Sequence, residues 1–260
     1  MPTALFLSSH LDDVAFSCGG TLLRLREAGW DVPLCTVFTA TVPDPQGFAL
    51  RCQTDKGLAP DVDYMALRRA EDKNFAALLG VPDVRHWPFP EAPHRGYESA
   101  EDLFRPRHAA DDVWRPIAEA LRDLAAEVRP DVVFAPQGLG GHVDHLQVIQ
   151  AALEAGLAPR TYWYRDTPYT MRDPEVRPSA LLPDGLKERA VLLTEDEVDR
   201  KIAGALTYAS QIGFQFRGPE EAENKLRGFH ALEGQRAGYE GFAERFRAAP
   251  ALPTLEGFSN

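Results

Sequence analysis

The sequence predicts an α/β fold with a mostly parallel sheet flanked by helices and a ligand site at the carboxyl edge of the strands. Three observations predict it. Short apolar runs alternate with helix-period stretches over the first two-thirds of the 260 residues, the mark of βαβ units. Two strings rich in His and Asp each follow an apolar run directly, and each opens into a helical stretch. In open α/β sheets that carboxyl edge is where ligands bind.

The elements follow in order. Residues 4–8 (ALFLS) read as a buried strand, and after a loop residues 20–27 carry Leu22, Leu23 and Leu25 as a helix that stops at Gly29. Residues 32–39 form the second strand. Residues 40–63 hold prolines, glycines and aspartates without sustained period and read as a long loop. A helix over 64–79 ends at Gly80, a strand follows over 84–87, and 88–107 is irregular and rich in Pro, His and Arg. Asp111 or Asp112 is expected to cap the next helix, which runs to about Val128. Residues 131–135 are a strand and 136–141 the loop at its carboxyl end. The helical pattern returns over 142–155, and 161–164 is a short aromatic strand. Thr194-Glu195-Asp196-Glu197 matches a capping box ahead of a helix over 198–209. One domain spanning 1–260 is expected, less regular from about residue 165, with a polar tail after Gly218.

Composition bounds the function. Hydrophobic residues at 44% and charged residues at 26% are ordinary globular usage, and the net charge of −11 with no Lys/Arg stripe speaks against nucleic acid as a partner. No apolar run approaches the roughly 20 residues of a membrane span. Residues 1–9 lack basic residues and acidic Asp12 and Asp13 follow, unlike a signal peptide, so a cytoplasmic location is expected. Cys18, Cys35 and Cys52 show no CxxC spacing and an odd count, which fits free thiols; Cys18 and Cys35 read as core residues. Self-association is left open.

Ser9-His10-Leu11-Asp12-Asp13 lies at the end of the first strand. His10 and Asp13 are ligand types that zinc accepts, and a tight loop can aim both at one point. Asp12 is then spare, and an ionised carboxylate beside a metal is placed to take a proton from activated water. Gly140-Gly141-His142-Val143-Asp144-His145 reaches the same edge, and one of its histidines completes the three protein ligands of a catalytic zinc site. Asp144 is of the type that holds an imidazole protonated or in one tautomer. The plainer reading makes Asp12 and Asp13 helix caps and His142 with Asp144 a helix start; two such strings at two strand ends favour the chemical reading.

SHLDDVAFSCGG and GGHVDH resemble the two signature motifs of the LmbE-like, or PIG-L, deacetylases, whose consensus is near (A/P)HPDD followed by Gly-Gly and later HxDH. The similarity extends over most of residues 3–155. It implies a Rossmann-like fold and removal of acetyl groups from N-acetylglucosamine-type amino sugars. It implies one zinc per chain, other divalent metals being alternatives, held by His10, Asp13 and His145, with Asp12 as general base. His142 would stabilise the oxyanion or act as acid, Asp144 would orient and charge His142, and Arg68, in Arg68-x-x-Glu71, would bind substrate. Arg68 has a plainer reading as a solvated helix residue paired with Glu71 or Asp72. Leu11 and Val14 depart from the common Pro and Glu and bear on subgroup rather than chemistry. Tyr208-Ala-Ser-Gln211 resembles a segment of some members and is given no role.

The partner so implied is a small N-acetylated sugar. Two alternatives stand beside it: a metal-dependent hydrolase of an ester or phosphoester, and an inactive sugar-binding relative. Trp87, Phe89, Tyr162, Trp163 and Tyr164 lie near strand ends, where core packing is the commoner role than sugar stacking.

Overall fold

The computed structural model describes residues 1–173 and 175–254. Strand β1 (Ala4–Ser8) is buried at every position, and its alternate side chains enter two different cores: Ala4 and Phe6 on one face, Leu5 and Leu7 on the other. Burial on both faces is why the strand reads as an unbroken apolar run.

Helix α1 (Asp13–Glu27) begins seven residues before the expected start and bends at Cys18, where φ is −142° and ψ 24°. The helix persists through the break because its interruption is satisfied from outside. The Glu244 carboxylate accepts the backbone N–H groups of Gly20 and Thr21 at 2.9 and 2.7 Å. Gly20 is needed for close packing, since a Cβ there would lie 2.6 Å from Leu193.

Strand β2 (Leu34–Thr36) is shorter than expected, and the long loop after it contains a helix, α2 (Gly47–Thr54). Helix α3 (Tyr64–Leu79) has the expected bounds, with Asp63 accepting from the Ala66 N–H at 2.8 Å and Gly80 left-handed at φ +71°. Strand β3 (Val84–His86) follows. Helix α4 (Trp114–Val128) starts later than expected and has no side-chain cap, because Asp111 is engaged by Arg95 and Tyr97 instead. Strand β4 (Val132–Pro136), helix α5 (Val143–Glu154) and strand β5 (Thr161–Tyr164) match the sequence pattern closely.

From residue 165 onward the chain is more regular than its sequence suggests. It forms α6 (Tyr169–Arg172), β6 (Lys187–Leu193), α7 (Glu195–Ala205), α8 (Ala209–Phe216), α9 (Pro219–Arg236) and β7 (Phe242–Ala248). The capping box at Thr194 and Glu197 is present. Helix α9 was read as polar tail because only a narrow stripe is buried, including Ala222, Leu226, Phe229, His230 and Glu233.

The strands join in the order β3-β2-β1-β4-β5-β7-β6. The first five are parallel, and β7 runs antiparallel to both β5 and β6. Rings on one face stack across strands: Phe6 lies 4.5 Å from Phe134, which lies 5.4 Å from Tyr162. That face is covered by α1, α3, α7, α8 and α9, and the opposite one by α4 and α5. Each large apolar side chain so buried contributes about 1.5–3 kcal/mol. Cys18 and Cys35 are core residues as expected, and all three cysteines are free. Among the described residues no helix is long and apolar enough to cross a membrane.

The consequence for function lies in strand order. After β1 the chain winds outward to β2 and β3, then returns to place β4 on the other side of β1. The carboxyl ends of β1 and β4 therefore flank the point where winding reverses, the crevice that open α/β sheets use.

Candidate active site

The first motif leaves β1 as a tight turn. Ser8 Oγ donates to the His10 carbonyl at 2.6 Å, and Asp13 Oδ2 accepts the His10 N–H at 2.8 Å, so His10 and Asp13 are locked together before any ligand arrives. The second motif leaves β4 through Gly138, Gly140 and Gly141, with φ of +70°, +87° and +76°. These left-handed positions suit glycine and turn the chain so that His142 caps α5. The cap is made by the ring: His142 Nδ1 accepts the Asp144 N–H at 3.2 Å.

The two turns bring His10, Asp13 and His145 together, with one ligand atom from each within 4.8 Å of the others. His145 Nε2 lies 3.3 Å and His10 Nδ1 3.6 Å from Asp13 Oδ2. His145 Nε2 is buried without a hydrogen-bond partner. An orphaned imidazole nitrogen beside a second imidazole and a carboxylate is the donor set a divalent cation takes, so these residues fit a metal. The field fits too. Burial disfavours charge on His10, yet Asp144, Asp13 and Glu91 raise its pKa to about 9, and surroundings that favour a proton there favour a cation.

Asp12 lies beside this set and lines the same cavity. Burial raises its carboxyl to about pKa 6 against the opposing pull of Arg68, whose Nη2 is 3.3 Å from Asp12 Oδ1. Arg68 is buried and pairs with Glu91 at 2.5 Å rather than with Glu71 or Asp72. Those two acids are taken by α8 and its N-terminal flank: Glu71 accepts from Ser210 Oγ at 2.7 Å and Asp72 from Tyr208 OH at 2.5 Å. The Tyr208-to-Gln211 segment thus braces α3, and Gln211 itself lines the cavity.

Asp144 corrects an expectation. It was expected to orient and charge His142, but its carboxylate meets His10 Nε2 at 2.9 Å, Arg95 Nη2 at 2.7 Å and the Ala92 N–H at 3.1 Å. Only its backbone N–H reaches the His142 ring. The reason is helical geometry: Asp144 sits two residues after His142, and its side chain leaves the helix toward the 92–95 turn. His142 is accordingly not held charged. Burial and the neighbouring His10 push its pKa well below the usual value.

Three contributors escaped the sequence reading. Asp166 bonds His145 Nδ1 at 2.5 Å, Arg95 clamps Asp144, and Glu91 holds Arg68. An acid two residues beyond β5, at the same sheet edge, was a usable signal for Asp166; Arg95 and Glu91 sit in an irregular stretch without one. Above the site is a cavity of about 340 Å³ whose lining includes Phe48, Tyr64, Phe104, Tyr169 and Phe214. Phe104 and Phe214 are substantially exposed. Tyr162, Trp163 and Tyr164 are fully buried and Trp87 and Phe89 pack against the sheet, so all five aromatics near the strand ends serve the core.

The chain is similar to known proteins. The chain is 33% identical over 212 residues to 2'-N-acetylparomamine deacetylase of Streptomyces fradiae, covering 80% of this chain and 72% of that one. It is 29% identical over 243 residues to 1D-myo-inositol 2-acetamido-2-deoxy-alpha-D-glucopyranoside deacetylase of Mycobacterium sp. (strain KMS), covering 84% and 77%. A crystal structure of a deacetylase bound to teicoplanin, from the teicoplanin biosynthesis pathway, superposes with a TM-score of 0.79 at 25% identity, covering 95% and 97%. The model of the PIG-L family, described as GlcNAc-PI de-N-acetylase, matches residues 5–156, a span that holds β1 through α5 and both motifs. The chain belongs to the PIG-L family.

Proposed function

We propose that this protein is a zinc-dependent hydrolase that removes the acetyl group from an N-acetylglucosamine-type amino sugar or glycoside, and that it acts in the reducing cell interior. The observation that carries the reading is the convergence of His10, Asp13 and the unpartnered His145 Nε2 beside a carboxylate, Asp12, that is not needed as a ligand. Relatives that deacetylate amino sugars and three free cysteines support it.

His10, Asp13 and His145 would hold the ion. When bound, it supplies Lewis acidity to the acetyl carbonyl and acidifies water at the site. Asp12 takes the proton of the attacking water. Its pKa near 6 leaves it ionised at neutral pH while making it a stronger base than an ordinary carboxylate. Attack of that water's oxygen on the carbonyl carbon puts negative charge on the carbonyl oxygen. His142 answers that charge: its Nδ1 already accepts a backbone N–H, so the neutral ring carries its proton on Nε2 and donates from there. A preorganised donor of this kind is worth about 3–4 kcal/mol. As the C–N bond breaks, Asp12 returns its proton to the leaving nitrogen, giving acetate and a free amine. Arg68 keeps Asp12 ionised and lines the cavity where sugar hydroxyls would lie.

The test pairs metal analysis with acetate release from a panel of N-acetylated sugars and glycosides, with acetate esters and phosphoesters as the competing bonds. One zinc per chain and amide hydrolysis are expected, and Asp12→Ala should lose about 10²–10⁴ of the rate with its metal retained. Full activity in metal-free protein, or turnover of phosphoesters alone, overturns the reading.

A further inference from the structure

An imidazole binds a cation only through the nitrogen that lacks a proton, so something must decide which nitrogen that is. At His145 the decision is visible. Nδ1 lies 2.5 Å from Asp166 Oδ1, and both side chains are fully shielded from solvent. An ionised carboxylate only accepts, so the proton sits on Nδ1 and Nε2 keeps its lone pair. That lone pair belongs to the buried, unpartnered atom 3.3 Å from Asp13. Asp166 cannot swing away: its other oxygen accepts the Leu139 N–H at 3.0 Å, tying it to the loop that delivers the second motif.

His10 shows the reverse sense. Asp144 Oδ2 holds its Nε2 at 2.9 Å, and Nδ1 is the nitrogen left on the Asp13 side. Two carboxylate–imidazole pairs of opposite polarity thus flank Asp13.

We propose that Asp166 is a positioning residue for the metal centre, fixing the tautomer of His145 so that the lone pair of Nε2 faces the ion site. The proposal rests on His145 being a metal ligand. It assigns a role to a residue outside both motifs, two residues beyond β5. Carboxylates placed behind a metal-bound histidine strengthen binding about 10- to 100-fold.

The substitution Asp166→Asn is diagnostic because the Leu139 N–H needs an acceptor. The amide oxygen stays on that N–H, which turns the amide NH2 toward His145 Nδ1. Nδ1 must then accept, and the proton moves to Nε2, where it blocks the ion. Zn2+ affinity, measured by competition with a chelating dye, is expected to fall about 10- to 100-fold in Asp166→Asn. Two-bond 15N–1H correlations of the metal-free protein should show the His145 proton on Nδ1 in the parent and on Nε2 in the variant. Should the variant fail to fold, the parent spectrum alone decides, because a proton on Nε2 there overturns the proposal. Equal Zn2+ affinity in parent and folded variant also overturns it. A parent that binds no Zn2+ fails the underlying metal-site reading instead, and the two failures are distinct.

Discussion

His10 Nε2 and Asp144 Oδ2 lie 2.9 Å apart, so the acid of the second motif holds the histidine of the first. The bond crosses the gap between the ends of β1 and β4 and couples the two motifs. Burial opposes ionisation of Asp144, yet Arg95 and His10 hold its pKa well below the usual carboxylate value. Asp144→Ala should therefore weaken Zn2+ binding, and not merely alter proton transfer through His142. It should also destabilise the fold by about 1–3 kcal/mol, since Arg95 and the Ala92 N–H lose a buried acceptor. Chelator competition and urea unfolding check the two halves separately, and unchanged metal affinity would show that Asp144 acts through His142 after all.

Arg68 should govern the acid limb of the activity profile. Its positive charge favours ionised Asp12, so Arg68→Ala destabilises the carboxylate and raises its pKa above about 6. Asp12 acts as base only when ionised, and the acid limb of kcat/KM must therefore move to higher pH. About tenfold or more of kcat/KM should be lost near pH 6, with a smaller loss at pH 8. Arg68→Lys keeps the charge and should move the limb less. A pH profile of each variant decides the matter.

Stability should hinge on a buried ion pair remote from the chemistry. Lys201 Nζ meets Glu244 Oε1 at 2.6 Å with both side chains fully buried, and Glu244 also completes the broken turn of α1. Lys201→Met leaves that carboxylate without its cation and is expected to cost about 3–5 kcal/mol. Because the partners are coupled, Lys201→Met combined with Glu244→Gln should cost less than the sum of the two single changes in urea unfolding.

Acid should weaken the fold partly through His230. Burial holds its pKa well below the usual imidazole value of about 6.5, and its Nδ1 pairs with the Ala243 carbonyl at 3.1 Å. Below pH 6.5 the unfolded chain binds a proton that the folded chain refuses, so unfolding becomes easier as pH falls. The effect is absent above the unfolded value and grows toward about 1.4 kcal/mol per pH unit below it. Unfolding curves between pH 5 and 8, compared with His230→Gln, should show the shallower dependence in the variant.

Much of the fold was legible because its signals are local. Helix α3 kept its bounds, since Asp63 and Gly80 mark its ends chemically. Strand β5 and the Thr194 capping box were equally plain. Helix α1 was misjudged at its start because the acid that completes its broken turn, Glu244, is more than 200 residues away. Asp111 looked like a cap and serves Arg95 and Tyr97 instead. Strand β7 and helix α9 were missed because partial burial leaves mixed polar patterns.

The sequence by itself determined the alternation of strands and helices, and with it the placement of His10, Asp12, Asp13, His142 and His145 at strand ends. Those features follow from apolar periodicity and turn residues, which act over a few positions. Only the tertiary structure decided that β4 lies beside β1, that Asp144 turns to His10, and that Asp166 stands behind His145. Buried polar groups take whatever partner the packed sheet brings within about 3 Å, and that choice is made by long-range packing rather than by spacing along the chain.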